Sequence, residues 1–335
     1  MFRPSYASFL GLWILVAATV FPAHQAYAYR VLDDEELRLD IGALAETGWA
    51  LVTDDHPRDN GPYISMARLN LRADYKGLGR VFLQYEAASG AAQLLDLLTV
   101  LNLTSFWQLR AGYFKVPTSE DYVIRSAQKR FPTRSLLAGL VPRRAAGVES
   151  SFEHQFGDVT GSLQLGVFSP FGRIVEVGGG QLLSARARVA LALGLAIHVG
   201  YADRVGESRP VEPTDPFFLR HDRLIDLAAV FESGPYYLHA EVLIPPDRAY
   251  NGQPAATFVA AAYRFGEIDQ GLTIEPVVGH DWVNLVVGGS QHRVRSGLNL
   301  YVLDHRLVPA LHYEWTRDPA GAIGHAVLAQ VRMTL

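Results

Sequence analysis

Polar and apolar residues alternate with a period of two, in short segments, from about residue 36 to the C-terminus. This period is typical of β-strands, and most segments are close to the roughly 9–11 residues that cross a bilayer as a tilted strand. The pattern predicts about sixteen strands. They lie near 37–48, 63–75, 80–88, 94–103, 106–115, 145–154, 160–168, 182–192, 195–203, 222–232, 235–244, 256–265, 271–280, 292–303, 306–316 and 324–335.

The connections between these segments alternate in length. Short turns, such as 76–79 and 104–105, are followed by longer connections rich in Pro, Gly and charge, such as 117–144 and 204–221. A sandwich has no reason to alternate in this way, whereas a transmembrane barrel has short turns at one rim and long loops at the other. The pattern predicts an all-β fold, a transmembrane antiparallel up-and-down β-barrel, formed by residues 29–335.

Charged side chains decide which strand face meets lipid. In the second segment, Arg68 and Arg72 share one face with Ile64, while Leu69 and Leu71 share the other. An outward Arg costs roughly 2–4 kcal/mol at the middle of a bilayer, so the arginine face is expected to line the lumen. A soluble antiparallel protein also alternates, but Lys and Glu would crowd its polar face. The same argument places further arginines inside, namely Arg110, Arg186, Arg188, Arg293 and Arg295.

The N-terminal segment has the features of an export signal. Arg3 precedes a short apolar run, FLGLWILVAATVF, and Ala26-Tyr27-Ala28 fits a small-x-small cleavage site. The run is shorter than the roughly 20 residues that a spanning helix needs. We expect residues 1–28 to be a signal peptide that is removed, and the alternative is an uncleaved N-terminal anchor. The expected location of the mature chain is the outer membrane.

The composition excludes several kinds of site. Cys is absent, which excludes disulfides and thiolate chemistry, and the 11 His residues show neither an H-E-x-x-H motif nor tight ligand spacing. A net charge of -4 gives no reason to expect nucleic-acid binding. A hydrolase would need a Ser–His pair, such as His154 with Ser151 or His292 with Ser290, but no G-x-S-x-G motif is present. We therefore expect no enzyme, metal or cofactor.

The longest connection, residues 117–144, is the positive segment of a mildly acidic chain. Thr118 and Asp121 resemble a capping box, so a helix is expected over about 119–130. One interpretation is an external loop whose bases bind acidic lipopolysaccharide. The other folds the loop into the barrel, where it narrows the lumen and completes a positively biased path for anions. The bases of the segment are Arg125, Lys129, Arg130, Arg134, Arg143 and Arg144.

Residues 109–119, LRAGYFKVPTS, resemble the R-x-G-x-F-K-x-P segment that opens the third loop of the phosphate-selective porin O and P family. The stretch 142–149, PRRAAGVE, is similar to that family's return into the next strand. The resemblance implies a homotrimeric outer-membrane porin of about sixteen strands, with the third extracellular loop folded into the lumen, that passes anions such as phosphate. The chain differs in having three Lys and in ending Met-Thr-Leu rather than in an aromatic residue. The positions of this chain to which the family's basic loop residues can be assigned are Arg110, Lys115, Arg143 and Arg144.

These features predict a porin that allows passive diffusion of small solutes with a bias towards anions. Two alternatives stay open: a general, weakly selective porin, and a plugged structural or adhesion barrel. A plugged barrel would pass no current in planar bilayers. The expected partners are small anionic solutes, outer-membrane lipid and lipopolysaccharide, and further copies of the chain in a homotrimer.

Overall fold

The structure is a computed structural model that describes residues 29–335 except 35, 54–55, 57, 89–91, 170–179, 207–222, 247–254, 267–270, 286–288 and 304. The predicted signal peptide, residues 1–28, lies outside the described residues. Among the helices of the described part, none is long and apolar enough to cross a membrane.

Sixteen antiparallel strands, β2 to β17, form one closed up-and-down barrel. Each strand pairs with the next along the chain, and β17 pairs with β2, which closes the sheet. All the predicted segments are confirmed, with ends shifted by a few residues. The strands are β2 Leu37–Val52, β3 Gly61–Tyr75, β4 Gly79–Glu86, β5 Gln93–Asn102, β6 Trp107–Lys115, β7 Arg144–Phe156, β8 Val159–Phe168, β9 Gln181–Leu191, β10 Leu195–Val205, β11 Arg223–Ser233, β12 Tyr236–Ile244, β13 Ala256–Tyr263, β14 Thr273–Leu285, β15 Gly289–Tyr301, β16 Leu307–Arg317 and β17 Ile323–Thr334.

A short strand, β1 (Tyr29–Asp33), lies where the alternation pattern predicts none. It pairs with residues 38–41 of β2, on the same edge that β17 pairs with residues 44–52. Between the two, Ala43 and Leu335 exchange backbone hydrogen bonds of 3.0 and 2.8 Å. Both ends of the described chain therefore share one strand position at the barrel seam.

The two faces of the sheet differ in chemistry as predicted. Outward residues are aliphatic and exposed, such as Leu238 (53%) and Val259 (52%), because nothing in the described part of the chain covers them. Inward residues of the same wall are polar and buried, such as Glu241 and Asp281. An apolar exterior around a polar interior is the arrangement that a membrane barrel requires.

A β-bulge reverses the predicted direction of Ile64. The pairing of β2 with β3 shifts between Met66 and Ile64, which leaves Ser65 as an extra residue. One extra residue inverts the alternation on its far side. Ile64 is therefore outward and 63% exposed. Its neighbour Tyr63 turns inward, where its hydroxyl donates to Gln330 at 3.4 Å.

Candidate functional site

The long loop between β6 and β7, residues 116–143, lies inside the barrel from Pro117 onward. Ser184 Oγ, on the inner face of β9, donates to the carbonyl of Pro117 at 2.9 Å. The carbonyl of Thr118 lies against Gly200 of β10, where an added Cβ would be 2.1 Å from the carbonyl oxygen. Only glycine permits this approach, so β10 is shaped to receive the loop.

The loop next forms a short helix, α1 (Glu120–Val123), whose first turn is fixed to β12. The cap is Ser119 and not Thr118: Tyr122 N donates to Ser119 Oγ at 3.2 Å. Glu241 accepts hydrogen bonds from Ser119 Oγ at 2.6 Å and from Asp121 N at 2.9 Å. One buried carboxylate therefore holds both the cap and the first turn.

The expectation of a helix over 119–130 is wrong, because basic side chains take the carbonyls that a longer helix would need. Lys115 Nζ donates to the carbonyls of Tyr122 and Ile124 at 2.8 and 3.0 Å. Arg134 also donates to the carbonyl of Ile124, at 2.6 Å. The chain continues instead as two 3-10 turns, Ser126–Gln128 and Leu137–Gly139.

Asp281 on β14 organises the second half of the loop. Its carboxylate lies 2.9 Å from both Arg293 and Arg295 of β15 and accepts a hydrogen bond from Leu136 N at 3.0 Å. The two arginines also donate to loop carbonyls, Arg293 to that of Arg134 at 2.6 Å and Arg295 to that of Thr133 at 2.8 Å. These two arginines, expected on the path for anions, are buried beneath the loop and hold it in place.

Two loop bases are also fixed by wall carboxylates. Lys129 Nζ lies 3.0 Å from Glu46 of β2, and burial lowers the pKa of Lys129 to about 8. Arg130 lies 2.8 Å from Glu232 and 3.5 Å from Glu275. In the opposite sense, the loop residue Glu120 pairs with Arg186 of β9, and burial raises the pKa of Glu120. The loop and the wall thus neutralise each other across several strands.

Apolar packing fills one side of the lumen. Loop residues pack against the inner faces of β11 to β14, where the wall contributes Leu224, Tyr237, Leu243, Phe258, Val277 and Val283. The loop residues of this core are Tyr122, Phe131, Leu137, Ala138 and Val141. Phe131 lies over Gly279, where an added Cβ would be 2.8 Å from its ring. This half of the barrel is therefore a packed interior.

The opposite wall keeps its charged groups in contact with the lumen. On β3 and β4, Arg72 and Arg80 lie 2.5 and 2.6 Å from Asp74, and their side chains are 39% and 41% exposed. On β6, Arg110 lies 3.1 Å from Glu149 and is 30% exposed. These positions line the side of the lumen that the apolar core does not occupy.

Two more of the expected basic residues lie nearer the loop, in ion pairs. Arg68 lies 2.7 Å from Glu86 and donates to Ser126 of the loop at 2.6 Å. Arg144, which starts β7, lies 2.9 Å from Asp96. Both are mostly covered, so their charge contributes less to the open side of the lumen than that of Arg72 and Arg80.

The side chains of three arginines in the predicted set have no hydrogen-bond or ion-pair partner within the part of the chain that the structure describes. Arg125 and Arg143 are exposed on the loop, and Arg188 is half-buried on β9, two residues from Arg186. The other predicted bases all contact acids, hydroxyls or carbonyls. Among the predicted bases, the uncompensated positive charge therefore lies on these three residues.

Sequence reasoning missed the carboxylates that hold the loop, namely Glu46, Glu241 and Asp281. Their inward direction follows from the alternation that places the arginines inside. Their loop partners do not, because pairing across the lumen depends on the path of the loop. The described residues contain no group of three or more His, Asp or Glu side chains placed to hold a metal ion.

The fold is similar to that of outer-membrane porins. An anion-selective porin from Comamonas acidovorans superimposes with a TM-score of 0.60 at 14% identity, over 90% of this chain and 100% of that one. OprB from Pseudomonas putida gives a TM-score of 0.64 at 10% identity, over 90% and 94%. OmpT from Vibrio cholerae, in a trimer form, gives 0.62 at 11% identity, over 90% and 100%. No protein-family model and no curated protein matches the chain.

Proposed function

We propose that this chain is an outer-membrane porin through which small solutes diffuse passively, with a bias towards anions. The observation that carries the proposal is the division of the lumen. The loop 116–143 packs on β11 to β14, while arginines on β3, β4 and β6 stay partly exposed opposite it. Fixed charges on a pore wall select permeant ions by sign, and low-dielectric walls strengthen their field.

The bias is expected to be moderate. Asp74 is shared by Arg72 and Arg80, and the Arg188 side chain has no partner among the described residues, so these groups supply positive charge, which exposed Glu153 on the inner face of β7 reduces. Paired arginines such as Arg110 contribute much less, because Glu149 offsets them. Phosphate or similar anions are the solutes that the resemblance to the phosphate-selective porins implies. A general, weakly selective porin is the second candidate, and the carboxylates beside the arginines favour it.

We further propose export through a cleaved signal peptide, residues 1–28, and assembly as a homotrimer. The apolar run that precedes Ala26-Tyr27-Ala28 supports export. One of the structurally similar proteins, OmpT from Vibrio cholerae, has a structure in a trimer form, which supports the trimer.

The test is the reversal potential of the reconstituted protein under a KCl gradient in planar bilayers. The parent is expected to favour anions, and Arg188→Gln is expected to lower the anion-to-cation permeability ratio. Arg223→Gln removes the same charge from the outer end of β11, where Arg223 is 63% exposed and 3.4 Å from Asp203, and is expected to leave the ratio unchanged. Both sites are at the surface of the barrel wall, so stability should change by less than about 0.5 kcal/mol.

Three outcomes would contradict the anion bias. A parent ratio near unity would leave a general porin, and an absence of current would leave a plugged barrel. Equal ratios for the parent and Arg188→Gln would remove the role of the unpaired arginine. Lys129 and Arg130 are less suitable targets, because both are ion-paired with buried wall carboxylates, so neutralising them would also disturb the packing of the loop.

A further inference from the structure

A cluster of imidazole, guanidinium and indole groups lies on the outer surface of four adjacent strands, β14 to β17, near the rim that carries the long loops. These side chains point outward, because they alternate with inward residues such as Asp281, Arg293 and Glu314. Leu, Val and Ala dominate the outer surface elsewhere. The cluster, here called the outer patch, comprises His280, Trp282, His292, Trp315, Arg317 and His325.

The sheet register brings these groups together in two rows. Trp282, His292 and Arg317 are successive cross-strand partners in the row nearest the rim. Trp315 and His325 pair in the row below. The rings of His280 and His292 stack with centroids 5.8 Å apart. With neighbouring strands about 4.8 Å apart, the patch spans roughly 15 Å, which is wide enough for more than one phosphate group.

Arg317 distinguishes the patch from ordinary charged residues at a barrel rim. It is exposed and has no hydrogen-bond or ion-pair partner in the part of the chain that the structure describes. By contrast, Arg223, at the same rim on β11, lies 3.4 Å from Asp203. An exposed guanidinium at the edge of a bilayer is placed to pair with an anion such as a lipid phosphate. The flanking Trp282 and Trp315 are residues that favour the membrane interface.

We propose that the outer patch binds the phosphorylated headgroup of a lipid in the outer leaflet. Arg317 would donate two parallel hydrogen bonds to a phosphate, and His280 and His292 would donate ring N–H groups beside it. The tryptophans would pack where the headgroup meets the acyl chains. The placement in the outer leaflet rests on the proposed function, since that function assigns the long loops to the cell exterior.

The experiment measures lipid binding to the full-length protein in detergent by native mass spectrometry. The probes are diphosphoryl lipid A and lipid A whose phosphates have been removed. The parent is expected to bind the phosphorylated form at least about fivefold more tightly, as charge-assisted contacts require. Arg317→Gln combined with His292→Gln should lose about tenfold in affinity for that form. The control Arg223→Gln should stay within about twofold.

Equal affinity of the parent for the two lipids would overturn the proposal. This comparison uses the parent alone, so it does not depend on whether a variant folds. Unchanged affinity in the double variant would overturn it as well. Displacement of the lipid by equimolar inorganic phosphate would indicate a free-phosphate site instead. A change in the oligomeric mass of the double variant without a change in lipid binding would make the patch a subunit contact. Current in planar bilayers, measured separately, tests the porin function independently of these results.

Discussion

The approach of the loop to β10 leads to a quantitative prediction for Gly200→Ala. The new Cβ would lie 2.1 Å from the carbonyl oxygen of Thr118 and 2.9 Å from its carbonyl carbon. Both are backbone atoms, so no side-chain rotation relieves the clash. The loop must move by at least about 0.9 Å to reach the 3.0 Å below which Cβ contacts essentially do not occur. Overpacking of this kind typically costs about 1–3 kcal/mol.

The direction of that movement sets the functional result. Thr118 can only retreat from β10 towards the barrel axis, and the hydrogen bond from Ser119 Oγ to Glu241 stretches as it does so. We expect a lower thermal midpoint and a smaller single-channel conductance than in the parent, both measured on the reconstituted protein. Gly161→Ala, on β8, is the matched control, because an added Cβ there meets nothing within 4 Å. Identical behaviour of the two variants would refute the contact between the loop and the wall.

Two further predictions test the charge network and the outer face. Asp281→Asn removes the paired carboxylate of buried Arg295 and leaves Arg293 with Glu314 alone at 3.7 Å, which should cost about 3–5 kcal/mol of unfolding free energy. Asp74→Asn, at a side chain that is 23% exposed, should cost about 1 kcal/mol or less. If heat denaturation gave the same loss of stability for both variants, the difference between the buried and the exposed carboxylate would be contradicted. Leu165→Arg, on the outer face of β8, should cost about 2–4 kcal/mol in lipid vesicles. The inward Gln84→Arg should be tolerated, and equal tolerance of both would mean that the outer face does not meet lipid.

The strand layout could be predicted from the sequence because a membrane barrel imposes two independent signals. Alternation sets the face of each residue, and loop lengths set the direction of each strand. Both signals depend only on residues that are close together in the sequence, so they can be read from one sequence. The bulge at Ser65 was not predicted, because one extra residue in a strand does not change the composition of the segment. Strand β1 was not predicted, because it lies before the regular alternation begins.

The charge state of the site could be predicted only in part. The inward direction of Arg68, Arg186 and Arg295 follows from the cost of placing them in lipid, which is large. Which carboxylate each one meets depends on the loop path, and several candidate partners differ little in energy. The sequence therefore shows a positive segment facing a polar wall. The structure shows that Glu46 pairs with Lys129 of this segment and Glu275 with Arg130, whereas Asp281 pairs with arginines of the wall.

The seam between β1, β2 and β17 has a consequence for biogenesis. Ala43 and Leu335 exchange backbone hydrogen bonds, so β2 and β17, which lie far apart in the sequence, meet at this seam. The sheet cannot become a cylinder until both have arrived, and until then its free edges expose unpaired amides. A variant that lacks β17 would therefore remain an open sheet that is exposed to edge-to-edge aggregation and proteolysis.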